Sequence, residues 1–265
     1  MTPPLPRRLV AEALGSFLLF ATVVGSGIMG DALAGGNDAV ALLGNTVATG
    51  AMLFVLITML GPVSGAHMNP AVSIVAAIRG DLPGRDAAAY AIVQLGAGIL
   101  GVWCVHLMFE LPIVQFSVKA RSGIGQAASE ALATFGLILT ILGTVRHRPA
   151  AVPASVALYI TAAYWFTSST SFANPAITVA RSLSNSFAGI APGDVPLFVA
   201  AQLAGRDWPR WSPIICSTPP RPKFSLLKFP RLTKGISFAH LTPMSINSLS
   251  TLTWWRSSQR WRARG

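Results

Sequence analysis

The sequence is poor in charge. Only 11% of its 265 residues are charged and 52% are hydrophobic, whereas an ordinary soluble domain has about 25% charged residues. This composition is typical of a protein embedded in a membrane. Acidic residues are scarcest, with 9 Asp and Glu against 20 Lys and Arg. The imbalance belongs to one part of the chain, because 11 of the basic residues and one acidic residue follow residue 205.

Cysteine is also scarce, which excludes two kinds of structural site. Cys104 and Cys216 are the only cysteines, too few for a disulfide framework or a cysteine-rich zinc site, so we expect no metal and no cofactor. The sequence also has no glycine-rich phosphate loop, no cluster of His and Cys and no closely spaced pair of carboxylates. We therefore expect no catalytic residues and no enzyme activity.

Long apolar runs are what the sequence does contain. A helix that crosses a bilayer takes about 20 residues, and five runs approach or reach this length with at most one charge each: 9–29, 40–60, 87–109, 127–145 and 150–167. The first is too long for the core of a secretory signal, and no small-residue cleavage site closes it. We expect it to be retained as a membrane span.

Two shorter apolar segments, 68–78 and 174–180, contain the same tripeptide, Asn-Pro-Ala. A helix rises about 1.5 Å per residue, so each segment reaches roughly half the bilayer or less. Asn is a favoured helix cap and Pro suits the first helical position, so each tripeptide predicts the start of a half-helix. The six residues are Asn69, Pro70, Ala71, Asn174, Pro175 and Ala176.

The chain contains an internal repeat, over about 7–110 and 126–205. Three landmarks recur in the same order, and they are Glu12 and Glu130, the two Asn-Pro-Ala tripeptides, and Gln94 and Gln202. Each repeat has an odd number of crossings, so the two enter the membrane in opposite directions. We predict that the half-helices meet head to head at mid-bilayer, where irregular backbone is tolerated only beside protein or a water-filled cavity. The repeat therefore predicts a pore.

These motifs resemble the major intrinsic protein family, the aquaporins and aquaglyceroporins. The resemblance covers residues 7–205 and rests on SGAHMNPAVS at 64–73 and SFANPA at 171–176, together with the repeated glutamates and glutamines. It implies an all-α membrane protein, an inverted-repeat bundle of six spans plus two half-helices. It further implies a homotetramer in which each protomer has its own pore.

The resemblance also implies roles for individual residues. Asn69 and Asn174 correspond to the two pore asparagines of the family. Glu12 and Glu130 correspond to buried glutamates that support the pore loops, although an interfacial charge is the alternative at Glu12. His67 also matches the family pattern as a supporting residue, with packing as its alternative.

The residue after the second tripeptide departs from the family pattern. Water-selective members have an arginine there, but this chain has Ile177, and the nearest arginine, Arg181, is about one helical turn further on. Counting by the family's spacing places Thr49, Ala162 and Ser171 at the other three positions of the selectivity filter. We expect this constriction to be wide, less polar and without its arginine.

A constriction of this kind favours uncharged solutes larger than water. The predicted function is a passive channel for water and small neutral solutes, such as glycerol-like polyols or the neutral trihydroxides of arsenic, antimony and boron. Similarity to bacterial members that lack the arginine, some of them associated with arsenic detoxification, makes arsenite the sharper expectation. The alternative is a secondary transporter with the same plan. That mechanism needs ionisable groups at mid-membrane, and the half-helices offer none unless Arg181 turns inward.

Basic residues predict the orientation of the chain. Alternation of the spans places one group of arginines on the same side of the membrane, namely Arg7, Arg8, Arg79, Arg85, Arg146 and Arg148. The positive-inside tendency identifies this side as the cytoplasm. We predict a multi-pass protein of the cell (inner) membrane with a cytoplasmic N-terminus.

Composition changes abruptly after Gly205. The sixth span begins with VPLFVAAQLAG at 195–205 but then meets RDWPRWSPIICSTPPRP, and residues 206–265 hold 7 of the 19 prolines and 5 of the 7 tryptophans. We divide the chain into a pore domain, 1–205, with a truncated sixth span, and a basic tail, 206–265. The tail is either a surface that lies on anionic lipid or nucleic acid or, as we prefer, an out-of-frame or disordered stretch. In the second case the chain is a non-functional product. We expect no nucleic-acid partner.

Overall fold

The computed structural model describes residues 3–206. The predictions for the basic tail, apart from its first residue Arg206, lie outside the described residues.

In this part of the chain the backbone forms eight α-helices and no strand, so the predicted all-α class is confirmed. The helices are α1 Leu5–Leu33, α2 Asp38–Ser64, α3 Pro70–Ile78, α4 Gly84–Met108, α5 Ile124–His147, α6 Val152–Phe166, α7 Pro175–Ser182 and α8 Val195–Gly205. Short 3-10 turns at Pro149–Ala151 and Pro192–Asp194 lead into α6 and α8. Five segments are long and apolar enough to cross a membrane, and they are α1, α2, α4, α5 and the stretch Pro149–Phe166. These are the five predicted spans.

Both half-helices form where the sequence predicts them. α3 has 9 residues and α7 has 8, so each is about 12 to 14 Å long and stops well short of a full crossing. Asn69 and Asn174 are the N-caps, each in an extended conformation, and a proline occupies the first position of each helix. The tripeptide thus works as a helix start in both repeats.

The first and third helices of each repeat pack with their backbones in close approach. In the first repeat α1 packs on α4, and a Cβ atom added at Gly101 would overlap the carbonyl oxygen of Phe17. In the second repeat α5 packs on α8, and a Cβ atom added at Gly205 would overlap the carbonyl oxygen of Ala131. Small residues allow membrane helices to approach in this way, so the first and third helices pack closely in both repeats, although the two glycines are not at equivalent positions.

The sixth span is short, as predicted. α8 has 11 residues and ends at Gly205, which gives about 16 Å of helix. Its landmark Gln202 is fully buried, and Phe198 packs edge-on against Phe172 at 5.2 Å between ring centres. The described part of α8 therefore completes the contacts of the second half-helix without crossing the bilayer.

Candidate functional site

The two half-helices are joined at their N-termini by a reciprocal pair of hydrogen bonds. The side-chain Nδ2 of Asn69 donates to the carbonyl of Ala173 at 2.8 Å, and Nδ2 of Asn174 donates to the carbonyl of Met68 at 2.8 Å. Each asparagine thus bonds to the residue that precedes the other. The pseudo-two-fold symmetry predicted from the repeat is visible in these two contacts.

Each asparagine also caps its own half-helix. Oδ1 of Asn69 accepts from the backbone N–H of Ala71 at 2.9 Å, and Oδ1 of Asn174 accepts from Ala176 at 3.0 Å and from Ile177 at 3.3 Å. A side-chain amide has two N–H groups, and the cross-link uses one. One N–H of each asparagine therefore remains to donate to a solute at the point where two positive helix ends meet.

A buried carboxylate supports the loop before each half-helix. Oε1 and Oε2 of Glu12 accept from the backbone N–H groups of His67 at 2.9 Å and Met68 at 2.6 Å. Glu130 accepts in the same way from Phe172 at 2.9 Å and Ala173 at 2.8 Å. Both glutamates are 0% exposed. The resemblance assigns them a supporting role, and these contacts are of that kind.

A glutamine and a hydroxyl complete the hydrogen-bond network around each glutamate, and we call each network, of Glu12 or of Glu130, a brace. Gln94 donates to Glu12 at 2.8 Å and to the hydroxyl of Ser73 at 3.2 Å. Gln202 donates to Glu130 at 2.6 Å and to the hydroxyl of Thr178 at 2.9 Å. Each hydroxyl belongs to the residue four positions after the capping asparagine and donates to the carbonyl of that asparagine. Sequence reasoning found the glutamines but missed the two hydroxyls.

The loops reach this geometry through left-handed backbone at matching positions. The residues one and three before each asparagine have positive φ, and they are Met68 (47°), Ala66 (48°), Ala173 (47°) and Ser171 (48°). A side chain at positive φ is strained by about 1 to 2 kcal/mol. The hydrogen bonds from the neighbouring backbone N–H groups to the carboxylates of Glu12 and Glu130 offset that strain. This explains why each loop packs against a buried glutamate.

His67 lies in the loop before α3, two residues before Asn69. Its Nδ1 is 3.0 Å from the hydroxyl of Ser73, and its ring meets that of Tyr90 edge-on at 5.4 Å. A cavity of about 490 Å³ opens next to it, with Arg8 and Asp81 among its lining residues. His67 therefore packs against Tyr90 and also lines this cavity.

Three of the four positions predicted for the selectivity filter are buried on the inner side of the bundle. Thr49, Ser171 and Ile177 are 3%, 2% and 5% exposed, and the hydroxyl of Ser171 has no partner among residues 3–206. Ala162 does not join them, because it is exposed on the side of α6 opposite the buried stripe. On the inner side stand Ala163 and Tyr164 instead, with the hydroxyl of Tyr164 donating to Thr49 at 3.3 Å.

A buried arginine contacts Phe172, the residue that follows Ser171. Arg181 turns inward and is 1% exposed, with its Nε donating to the carbonyl of Ala188 and its guanidinium 3.3 Å from the centre of the Phe172 ring. The one helical turn between Ile177 and Arg181 was visible in the sequence. The direction of the side chain was not.

A second arginine reaches the same ring from the connection between α4 and α5. Nε of Arg121 donates to the carbonyl of Gly189 at 2.8 Å and Nη1 donates to that of Ser169 at 3.0 Å, and its Cζ is 5.0 Å from the centre of the Phe172 ring. Burial lowers the pKa of Arg121 from its ordinary value, and the nearby charge of Glu130 opposes this shift. No local pattern in the sequence indicated this residue.

The sequence and fold of this chain resemble those of known channels. The sequence model of the family described as Major intrinsic protein matches residues 2–168. The Aquaglyceroporin AqpS of Rhizobium meliloti (strain 1021) is 60% identical over 201 residues, which cover 76% of this chain and 86% of that protein. The Probable aquaporin AqpM of Archaeoglobus fulgidus is 30% identical, over 80% of this chain and 97% of that protein.

A solved structure, the aquaglyceroporin from Plasmodium falciparum, matches with a TM-score of 0.59 at 18% identity, covering 81% of this chain and 100% of that one. At this identity the likeness shows the fold alone, and the fold agrees with the paired half-helices described above. The family match and the 60% identical relative settle the assignment. This chain belongs to the major intrinsic protein family and is a multi-pass membrane channel, not an enzyme.

Proposed function

We propose that this chain is a passive channel for water and small uncharged solutes such as glycerol. The observation that carries the proposal is the reciprocal contact of Asn69 and Asn174. It fixes two amide groups at the junction of the half-helices and leaves one N–H on each for a solute oxygen. Water and polyols offer such oxygens, so they exchange hydrogen bonds with the wall as they pass.

The same junction disfavours small cations. The N-termini of α3 and α7 both point at it, and each carries a partial positive charge of about half an elementary charge. Neither asparagine contributes a negative charge. A cation entering the junction therefore loses hydration and gains no counter-charge, whereas a neutral solute meets no such barrier.

Ion-coupled transport is the competing function, and the hydrogen bonds of the two buried glutamates argue against it. Glu12 and Glu130 use both carboxylate oxygens to accept hydrogen bonds from the pore loops, so neither is free to bind a coupling ion. Arg181 turns inward, but a guanidinium neither titrates near neutral pH nor coordinates sodium. We infer that solute flux follows its own gradient alone.

Metalloid hydroxides are the more specific solutes that we propose. The side chains at Thr49, Ser171 and Ile177 are small or aliphatic, so no rigid arginine fork projects from position 177. Neutral trihydroxides such as arsenous acid resemble polyols in size and in their hydroxyl groups. A site that admits glycerol is expected to admit them as well.

Stopped-flow light scattering on proteoliposomes that contain the full chain tests this function. We expect glycerol and arsenous acid to equilibrate faster than in empty vesicles, with the same rate in sodium and potassium buffers and with or without a pH gradient. Flux that requires a sodium or proton gradient indicates the transporter instead. Glycerol and water rates equal to those of empty vesicles would overturn the channel proposal.

We also propose a cytoplasmic N-terminus in the cell (inner) membrane of a bacterium. The arginines support this orientation, and two exposed positions on opposite sides test it. Arg85, with its side chain 89% exposed, and Val118, 80% exposed, are each replaced by cysteine. In intact cells an impermeant thiol reagent should label Val118→Cys and leave Arg85→Cys unlabelled. The reverse labelling contradicts the orientation.

The assembly that we propose is the homotetramer of the family. Its support is the family membership of the chain. Native mass spectrometry of the detergent-solubilised protein should give four times the protomer mass of 27.8 kDa. A monomeric or dimeric mass after mild extraction contradicts it.

A further inference from the structure

Arg181 occupies an unusual environment for a charged side chain. It is 1% exposed, and Nε is the one atom of its guanidinium that has a hydrogen-bond acceptor among the described residues. A guanidinium has five N–H donors, so four remain. The ion pairs of residues 3–206 join Arg8, Arg79 and Arg85 to aspartates, and Arg181 takes part in none of them.

The position of Arg181 on α7 directs this charge toward the constriction. It lies four residues after Ile177 and therefore on the same face of the helix, one turn on. Side chains in helices lean toward the N-terminus and cover the preceding turn. The guanidinium therefore covers the turn that begins at Ile177, and its contact with Phe172, the residue after Ser171, holds it there.

Arg121 adds a second charge to the same place. Its Cζ lies within 5.0 Å of the centre of the Phe172 ring that Arg181 contacts at 3.3 Å. An aromatic face attracts a cation at such distances, so one ring holds two guanidiniums. Asp194 contacts this region, but its carboxylate accepts from the backbone N–H of Arg121 at 2.7 Å. Carbonyl groups and the Phe172 ring thus hold both guanidiniums, and neither forms a direct ion pair within residues 3–206, where the carboxylate of Glu130 accepts from the backbone of Phe172 instead.

Burying a cation that forms no direct ion pair is costly, and ionisable residues inside a membrane protein typically serve its solute pathway. We propose that Arg181, with Arg121 beside it, supplies the positive charge and hydrogen-bond donors of the constriction at Thr49, Ser171 and Ile177. This inference rests on the proposed channel function. The arginine missing at position 177 is thereby replaced from one turn further along α7.

The replacement has two consequences for selectivity. A positive charge at the constriction repels protons and sodium before they reach the asparagine junction, which adds a second barrier to the one at mid-membrane. The free N–H groups of Arg181 donate to the oxygens of neutral hydroxylic solutes, as does the unpartnered hydroxyl of Ser171. The guanidinium of Arg181 belongs to a residue one helical turn after position 177. It therefore provides hydrogen-bond donors to the solute, while the aliphatic side chain of Ile177 keeps the constriction wide.

The test compares cation leak with glycerol flux in proteoliposomes of the full chain. Arg181→Met removes the charge at similar length, and Arg85→Met is the matched control, since it removes one charge from a side chain that is 89% exposed. We expect Arg181→Met to raise the ratio of proton and sodium leak to glycerol flux on the order of tenfold, with Arg85→Met unchanged. General structural damage would alter all fluxes together and leave this ratio unchanged.

A further pair of variants separates charge from donor geometry. Arg181→Lys keeps the charge but loses the planar fork, so leak should stay low while glycerol flux falls. Arg121→Met should raise the leak ratio less than Arg181→Met. If Arg181→Met does not insert into the bilayer, the inference is tested with Arg121→Met and Arg181→Lys. The measured quantity is again the ratio of proton and sodium leak to glycerol flux.

The outcomes distinguish this inference from the proposed function. If the unmodified chain conducts glycerol and neither Arg181→Met nor Arg121→Met exceeds the leak of Arg85→Met, the inference is overturned and the channel function stands. If the unmodified chain conducts neither water nor glycerol, the proposed function fails and the inference fails with it.

Discussion

Glu130 accepts a hydrogen bond of 2.6 Å from the side-chain amide of Gln202, a residue three positions before the end of α8. The corresponding pair in the first repeat, Glu12 and Gln94, is 2.8 Å apart. In each repeat a glutamate on the first helix is thereby tied to the third helix and to the loop of the half-helix. The two braces hold the asparagine junction in place.

Replacing Glu130 with glutamine should destabilise the protein. One carboxylate oxygen becomes an NH₂ group that cannot accept from the backbone of Phe172 or Ala173, and an unsatisfied buried N–H costs about 1 to 3 kcal/mol. We expect a lower melting temperature in detergent and a smaller yield of assembled protein. Glu12→Gln should act in the same way, because its contacts match.

The exposed Glu110 provides the control, since Glu110→Gln makes the same chemical change where no loop depends on it. Fluorescence-detected size exclusion after heating measures all three variants. Equal melting temperatures for Glu130→Gln and Glu110→Gln would show that the brace contributes nothing to stability.

The helix contact at Gly101 gives a second prediction. Gly101→Ala places a methyl group against the carbonyl oxygen of Phe17, so α1 and α4 must move apart and the melting temperature should fall. Gly96→Ala, on the same helix, meets nothing within 4 Å and gains up to about 1 kcal/mol of helix propensity. We expect it to be neutral or stabilising. An equal fall in melting temperature for Gly101→Ala and Gly96→Ala would contradict the close approach of α1 and α4 at Gly101.

Much of this architecture could be predicted because its signals are local and occur twice. An Asn-Pro pair caps a helix wherever it lies, and a glutamate alone in an apolar span calls for buried donors. The family resemblance implied that the glutamates support the loops, and the repeat marked Gln94 and Gln202 as matching landmarks. The hydrogen bonds between these glutamines and the glutamates became visible only in the structure.

The constriction was harder to predict, for a physical reason. α6 ends at Phe166, Thr167 is extended, and the chain is non-helical up to Asn174. Counting residues through such a segment gives a distance along the chain but no rotation about the helix axis. This explains why Ala162 lies on the exposed side while Tyr164 faces Thr49. Arg121 is separated from Phe172 by 51 positions, and no spacing rule connects them.

The asparagine junction gives a third prediction, on charge. Asn174→Asp keeps the cap oxygen but replaces the amide that donates to Met68 with a negative charge. That charge offsets the two positive helix ends, so proton and sodium conductance should rise while water still passes. Asn69→Asp should behave alike.

Asn37 is the matched control for this change. It caps α2 at an exposed position by accepting from Ala39 and Val40, so Asn37→Asp keeps a cap and adds a charge far from the junction. Planar bilayer recording measures the currents. If folded Asn69→Asp and Asn174→Asp conduct protons and sodium only at background level, the two positive helix ends are not the barrier to cations at this junction.

The last prediction concerns the residue that departs from the family. Ile177→Arg adds a guanidinium one turn before Arg181 on the same face of α7, at the position where water-selective members of the family have their arginine. The added side chain narrows the opening, and like charges four residues apart repel each other. We expect glycerol and arsenous acid permeability to fall on the order of tenfold, equivalent to about 1.4 kcal/mol in barrier height, with a smaller loss for water because it is the smallest solute.

Ile177→Leu conserves volume and should leave all three rates near those of the unmodified chain. Stopped-flow measurements on proteoliposomes with equal amounts of inserted protein give the three rates side by side. Unchanged ratios in a correctly inserted Ile177→Arg protein would show that position 177 does not line the pathway, and the constriction would then have to be sought around Tyr164 and Arg181.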